Sequence, residues 1–198
     1  FGFLNATQGD TMSALKKVYK DKLEETLVNY LNSEMTKAKG SLLSVLKHGI
    51  ELANYKLELM YSKPATTFNK ELLANYEKNI FSVMEEVWAG DKERIDLVIF
   101  LNGLAIMSFE LKCNMAGQSY EDAIYQYRTE RSPKTRLFLF KAGCLVNFAM
   151  DLNEVYMTSK LDGQSTFFLP FNMGNGEGVN AGKGNPTYED KYSVYYMW

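Results

Sequence analysis

The stretch that decides the fold is residues 94–112, which read RIDLVIFLNGLAIMSFELK. It consists of two apolar runs joined at Asn102-Gly103, and an Asn-Gly pair between hydrophobic runs is the strongest short-range signal for a β-hairpin. Three charged residues interrupt this ribbon: Asp96 near its start, and Glu110 and Lys112 at its end. Charged side chains in a sheet are costly unless they face solvent, pair or bind a metal. We therefore predict a hairpin that carries a site.

The order of these charges is typical of a magnesium-dependent phosphodiesterase, in which an Asp is followed about one hairpin later by Glu-x-Lys. Phosphodiester hydrolysis needs a hard divalent cation to neutralise the phosphate and to lower the pKa of the attacking water. We predict that Asp96 and Glu110 bind Mg²⁺ and that the backbone carbonyl of Leu111 adds a third ligand. Lys112 would orient the water or stabilise charge on phosphorus. The alternative for Glu110 and Lys112 is an exposed strand end, where such a pair often arises by chance.

The faces of the hairpin place a condition on this site. In a regular two-residue turn, Asp96 would lie opposite Phe109, and Glu110 would point to the other face of the ribbon. The two acids share a metal only if a bulge or a three-residue loop restores the pairing of 96 with 110. We predict such an irregularity.

The composition limits the class of protein. The 198 residues are 46% hydrophobic and 14% aromatic, which suits one globular core with or without an appendage. No apolar run reaches the roughly eighteen residues of a membrane span and no secretory signal is evident, so we expect a cytoplasmic protein without membrane association. Two cysteines and one histidine do not comfortably fill a four-ligand zinc site. The cysteines are expected to be reduced structural thiols.

The net charge of −2 is not that of a typical nucleic-acid binder, but basic residues concentrate after the ribbon. We predict DNA backbone contacts from Arg128, Arg131, Lys134 and Arg136, with a solvated loop as the alternative. Gln126 and Tyr127 precede this segment. Their side chains would contact the DNA backbone or a ligand of the metal. The alternative is that Gln126 lies on the helix surface and Tyr127 packs in the core.

Apolar periodicity and turn signals predict the other elements. The expected helices span residues 11–35, 41–48, 69–77 and 119–131, with Ser41, Asn69, and Ser119 together with Asp122 as caps. The expected strands beside the ribbon span residues 80–88, 137–140, 144–150, 154–158 and 166–171. The helix over 119–131 would cross from the ribbon to the next strand, so the predicted fold class is α/β, with a mixed central sheet flanked by helices.

The predicted organisation has three parts. Residues 1–56 form an N-terminal helical segment packed on the core, residues 57–171 form the core, and residues 172–198, rich in Gly and Asn at first, form a loop or linker. The start at Phe1 and the apolar end suggest a fragment of a longer polypeptide. Residues 182–184, Gly-Lys-Gly, do not form a P-loop, because the preceding Gly and the following Ser or Thr are missing. No cofactor-binding residues are therefore expected for ATP in this chain.

Several segments in order resemble a known family, the N-terminal nuclease domain of the R (restriction and motor) subunit of type I restriction–modification enzymes. The resemblance is continuous from about residue 57 and looser before it. Besides the ribbon, the segments that carry it are Gln126-Tyr127, LVNFAMD at 145–151, EVYMT at 154–158, TFFLPFN at 166–172, GKGNP at 182–186 and YMW at 196–198.

The resemblance implies a PD-(D/E)xK nuclease core with an N-terminal helical segment, in which Asp96, Glu110 and Lys112 fall on the motif positions. Ile95 stands where many of these nucleases have Pro. The family often has Tyr four residues after its Gln, whereas position 130 is Glu, so the resemblance supports Gln126 as a catalytic residue more than it supports Tyr127.

The resemblance also implies partners and a larger context. The expected ligands are Mg²⁺ and double-stranded DNA, and the expected partners are the methyltransferase and specificity subunits of the restriction complex. Linker residues would lead to an ATP-driven, helicase-like motor in the full-length protein. One alternative is a catalytically inactive nuclease-like module that docks DNA or partner subunits. Another is a different PD-(D/E)xK enzyme, although such an enzyme would lack the segments at 166–172 and 196–198.

Overall fold

A computed structural model describes residues 1–90, 92–174, 178–181 and 184–186. Its helices are α1 (Gly2–Thr7), α2 (Gly9–Tyr19), α3 (Leu23–Thr36), α4 (Leu42–His48), α5 (Lys70–Glu77) and α6 (Tyr120–Thr129). Its strands are β1 (Ile50–Leu52), β2 (Tyr55–Leu57), β3 (Phe81–Trp88), β4 (Arg94–Leu101), β5 (Leu104–Leu111), β6 (Val146–Met150), β7 (Val155–Thr158) and β8 (Leu169–Pro170).

The chain divides into two compact units, which differ from the predicted three parts. The first comprises residues 1–82 and 100–105, and the second comprises the described residues within 83–99 and 106–198. A boundary after residue 56 would cut the hairpin of β1 and β2, because Ile50 pairs with Leu57. The predicted linker over 172–198 lies mostly outside the described residues and stays a prediction.

The first unit contains the N-terminal helices. The predicted single helix over 11–35 is interrupted after α2, where Lys20 takes a φ of 51° and residues 20–22 form a 3-10 turn before α3. Apolar periodicity continues through the break, since Leu15 and Leu27 are both buried, which is why the pattern alone does not reveal it. The predicted caps are confirmed: Ser41 Oγ accepts a hydrogen bond from Ser44 N, and Asn69 Oδ1 accepts one from Leu72 N.

A six-stranded sheet has the order β3-β4-β5-β6-β7-β8 and is mixed, since β5 and β6 are parallel whereas β6 and β7 are antiparallel. The parallel pair requires a crossover, and α6 supplies it, as predicted. Ser119 and Asp122 form a capping box at the start of α6, in which Glu121 N donates to Ser119 Oγ and Ser119 N donates to Asp122 Oδ2. The predicted fold class, a mixed sheet flanked by helices, is confirmed.

Two expectations about strands are corrected, and one hairpin was not expected. Residues 137–140, expected as a strand, form turns, and Gly143 N and Cys144 N donate to carbonyls of residues 139 and 137. The strand expected over 166–171 shrinks to the two residues of β8, because the Thr166 side chain caps a turn with Gly163 O. The hairpin of β1 and β2 was not expected. Among the described residues, no helix is long and apolar enough to cross a membrane.

Candidate active site

The predicted site residues gather at one end of the central strands of the second unit. β4 carries Asp96, β5 carries Glu110, and Lys112 directly follows β5. Lys112 is held at the sheet because its backbone N donates to Met150 O at 2.9 Å. Gln126 lies on α6, which packs on β6. Strand ends and a crossover helix therefore bring residues from three elements together.

The ribbon has a two-residue turn but is not regular along its length. Asn102 and Gly103 have φ values of 52° and 87°, which suit a type I′ turn between β4 and β5. In regular pairing Leu97 would share a face with Ser108. It packs instead with the cluster around Phe109. The pairing therefore slips by one residue between the turn and Leu97, as the predicted irregularity requires.

This slip places Asp96 on the face of Glu110. Asp96 Oδ2 accepts a hydrogen bond from Leu111 N at 2.7 Å, so the carboxylate of β4 reaches across to the end of β5. The negative charge of Asp96 is also close enough to raise the pKa of Glu110. A single backbone N–H thus orients Asp96 next to the second acid.

Glu110 is fully buried, with 0% of its surface exposed. Its Oε1 accepts a hydrogen bond from Arg131 Nε at 2.7 Å, and its Oε2 is buried without a hydrogen-bond partner among the described residues. Loss of hydration raises the pKa of Glu110 to about 7. The hydrogen bond and the charge of Arg131 lower this pKa. The charge of Asp96 raises the pKa further, and the charge of Lys112 lowers it. Glu110 is therefore a buried carboxyl with one oxygen hydrogen-bonded and the other without a partner among the described residues.

Lys112 and Gln126 are in direct contact. Lys112 Nζ donates to Gln126 Oε1 at 2.6 Å, and both side chains are partly buried. The amide oxygen fixes the position of the ammonium group, which lies near enough to Glu110 to lower the pKa of that carboxyl. The structure thus brings together the four residues predicted to be catalytic: Asp96, Glu110, Lys112 and Gln126.

A buried polar network lies beside Glu110, and sequence reasoning did not predict it. Ser108 Oγ donates to Asn147 Oδ1 at 2.7 Å and lies 2.9 Å from Tyr127 Oη, so that the Tyr127 hydroxyl donates to Ser108. The network links β5, β6 and α6. The signal available in sequence was a Ser within the apolar run of β5, two residues before Glu110 and hence on its face.

Two of the predicted DNA contacts are corrected by burial. Tyr127 is 0% exposed, packs edge-on against Phe138, and has its pKa raised well above the usual value, first of all by burial. Arg131 is 5% exposed and bound to Glu110. Neither side chain presents a surface to DNA, because both complete the interior on which the site rests. Sequence reasoning thus missed the role of Arg131, for which the local pattern contains no signal.

The remaining basic residues differ in their surroundings. Arg128 is partly buried and donates through Nε and Nη2 to Thr166 O at 3.1 and 2.9 Å. Lys134 is exposed, and Arg136 is exposed while donating to Ala142 O. Contacts of these three residues with DNA stay predictions.

The donor set fits a hard cation that retains part of its water shell. Across residues 1–90, 92–174, 178–181 and 184–186, no cluster of three or more His, Cys, Asp or Glu side chains could hold a metal. Mg²⁺ is usually held by one or two carboxylates and keeps several waters. Glu110 Oε2, which is buried without a partner among the described residues, and the adjacent Asp96 carboxylate are two oxygens of this kind, and binding of Mg²⁺ to them stays a prediction. The carbonyl of Leu111 as a third ligand stays a prediction.

Comparison with known proteins identifies the family. The family model described as Type I restriction enzyme R protein N terminus matches residues 6–166, well over half of the chain. Among curated proteins and among solved structures, no match was found. The match includes all four residues that meet at the end of β4 and β5. The chain therefore belongs to the family of N-terminal domains of type I restriction enzyme R proteins.

Proposed function

We propose that this chain is the DNA endonuclease domain of a type I restriction enzyme R subunit and hydrolyses phosphodiesters with the help of a divalent cation. Membership of the family implies a multisubunit restriction complex that acts with DNA. The observation that carries the proposal is the proximity of Glu110 to Asp96 and to the Lys112–Gln126 contact, together with a buried Glu110 oxygen that has no partner in the described part of the chain. A merely structural role for Glu110 would leave that oxygen unexplained.

Asp96 and Glu110 would hold Mg²⁺, which when bound would neutralise the scissile phosphate and make a coordinated water more acidic. Asp96 is already oriented by Leu111 N, so it loses little conformational freedom on binding the ion. Lys112 presents an ammonium group whose position is set by Gln126. That group would orient the attacking water or stabilise negative charge that develops on the phosphoryl oxygens.

Lys134 and Arg136, the exposed basic residues after α6, would contact the DNA backbone without reading its sequence. Recognition of the DNA site would reside in the specificity subunit, which acts with the methyltransferase subunit. ATP-driven translocation would reside in a motor elsewhere in the full-length protein.

A docking module with vestigial acids is the second candidate. The observation that favours it is the buried ion pair of Glu110 with Arg131, because this pair already compensates the carboxylate charge. The two candidates differ in their response to divalent ions. A nuclease site binds Mg²⁺ or Mn²⁺ and is stabilised by it, whereas a docking module shows no such stabilisation.

The test uses the full-length R subunit in its complex, with Lys112→Ala as the decisive change. We expect the variant to lose DNA cleavage, because the Lys112 side chain binds Gln126 at the proposed nuclease site, and to keep DNA-stimulated ATP hydrolysis, because that activity would reside in the motor elsewhere in the full-length protein. Lys160→Ala is the matched control: Lys160 is exposed and pairs with Asp162, and its loss should leave both activities unchanged. Cleavage by the Lys112→Ala enzyme at the wild-type rate would refute the nuclease proposal.

A further inference from the structure

Arg131 has a role at the site that the proposed chemistry does not require by itself. Its guanidinium is buried and forms a bridge between two strands. Nε donates to Glu110 Oε1 on β5 at 2.7 Å, and Nη2 donates to the backbone carbonyl of Arg94 on β4 at 3.0 Å. Arg94 lies two residues before Asp96. The bridge therefore connects the two strand segments that carry the acids.

We propose that Arg131 is a positioning residue for a divalent-cation site, holding Glu110 by one oxygen so that the other serves the cation. The inference rests on the proposed function. Three observations support it: Oε1 is taken by Arg131, Oε2 is buried without a partner among the described residues, and the same guanidinium fixes the backbone near Asp96.

The fork geometry of arginine is what this arrangement requires. A guanidinium is planar, and its donors reach two acceptors at a fixed separation, whereas a lysine ammonium is a compact charge on a flexible stem. Partners that orient a metal-binding carboxylate typically change metal affinity by about 10- to 100-fold when they are removed. Arg131 would act in this way on Glu110 without contacting the cation itself.

A purely structural role for Arg131 predicts a different outcome. Removing the partner of a buried carboxylate lowers stability whether or not the carboxylate binds a metal. Cation affinity measured on fully folded protein separates the two roles, because a loss of global stability alone does not change that affinity. An inhibitory role predicts the opposite sign, since removal of a positive charge beside the site would tighten binding.

The experiment measures Mn²⁺ binding to this chain by the loss of the electron paramagnetic resonance signal of free Mn²⁺. The variants are Arg131→Met, Arg131→Lys and Glu110→Gln, and circular dichroism checks that each is folded at the temperature used. Arg128→Met and Arg128→Lys are the matched controls, because Arg128 also donates two hydrogen bonds, but both go to the Thr166 carbonyl and it pairs with no carboxylate among the described residues. Arg131→Lys retains the positive charge, so its Mn²⁺ affinity tests the proposal if Arg131→Met does not fold.

We expect wild-type protein to bind Mn²⁺, Glu110→Gln to lose that binding, and both Arg131 variants to bind about tenfold or more weakly. The Arg128 variants should bind as wild type does. Unchanged or tighter binding by the Arg131 variants, with wild-type binding intact, overturns the role of Arg131 and leaves the nuclease proposal standing. Absence of Mn²⁺ binding to wild-type protein overturns both.

Discussion

The stability of a metal-free Glu110→Gln variant should rise relative to that of the wild-type protein as the pH increases from about 5 to about 8. Glu110 is fully buried, and desolvation raises the pKa of its carboxyl to about 7 in spite of Arg131. The charged groups that act on it are Arg131 and Lys112, which lower its pKa, and Asp96, which raises it. Gln has the shape of the protonated carboxyl and never ionises, so the substitution removes the pH-dependent cost of burying the anion, whereas the lost charge opposite Arg131 contributes equally across this pH range.

The magnitude follows from the difference between the folded and unfolded pKa values. The folded pKa is about 7 against a usual value of 4.5, and each unit corresponds to about 1.4 kcal/mol. The folded state binds the proton more tightly, so this contribution to stability is full below the unfolded pKa and is lost as pH rises through the folded pKa. The free energy of unfolding of the variant relative to wild type should therefore rise by about 2 kcal/mol between pH 5 and pH 8.

The assay is urea unfolding of both proteins with a chelator present, at several pH values across that window. The difference in the free energy of unfolding between variant and wild type isolates the titration of Glu110, since all other groups are shared. Arg131 keeps an acceptor in the variant, namely the oxygen of the introduced side-chain amide. A difference that stays constant between about pH 5 and pH 8 would show that Glu110 titrates normally in the folded protein and would refute this account.

Two further predictions concern the framework around the site. Tyr127→Phe should lower the free energy of unfolding by about 1–2 kcal/mol, because it leaves buried Ser108 without its donor, whereas Tyr125→Phe on the exposed side of α6 should change it little. Chemical denaturation compares the two, and equal effects would contradict the network. Gly103→Ala should lower the free energy of unfolding by about 1 kcal/mol. The cause is the positive φ of 87° alone, because a Cβ at this position meets nothing within 4 Å among the described residues. Gly90→Ala, equally open but without a positive φ, is its control in thermal unfolding, and an equal loss would contradict that reason.

Local signals predicted the elements whose cause is local. The Asn-Gly turn, the Ser41 and Asn69 caps and the Ser119–Asp122 capping box each depend on residues within four positions of one another, and all formed. The strand expected at 137–140 did not form, because these residues form turns whose backbone carbonyls accept hydrogen bonds from Gly143 N and Cys144 N. Burial alone does not distinguish these turns from a strand.

The candidate site likewise has some residues whose placement the sequence predicted and others whose placement it did not. The spacing in the ribbon predicted that Asp96, Glu110 and Lys112 lie together, and the family resemblance added Gln126 from the following helix. The structure brings these four residues together, and their catalytic roles stay predictions. Tyr127 and Arg131, which were predicted to contact DNA, are buried. The sequence did not reveal this, because the periodicity of α6 does not show what packs against Tyr127, and Arg131 follows the helix.

The sequence by itself determined the hairpin, the crossover helix and the set of acids and lysine, because turn chemistry and apolar periodicity are encoded in neighbouring residues. Only the tertiary structure decided that the strands slip by one residue so that Asp96 joins Glu110, and that Arg131 binds one oxygen of Glu110 and leaves the other without a partner among the described residues. Strand register and buried ion pairs depend on contacts between residues distant in the chain, and these contacts exist only once the chain has folded.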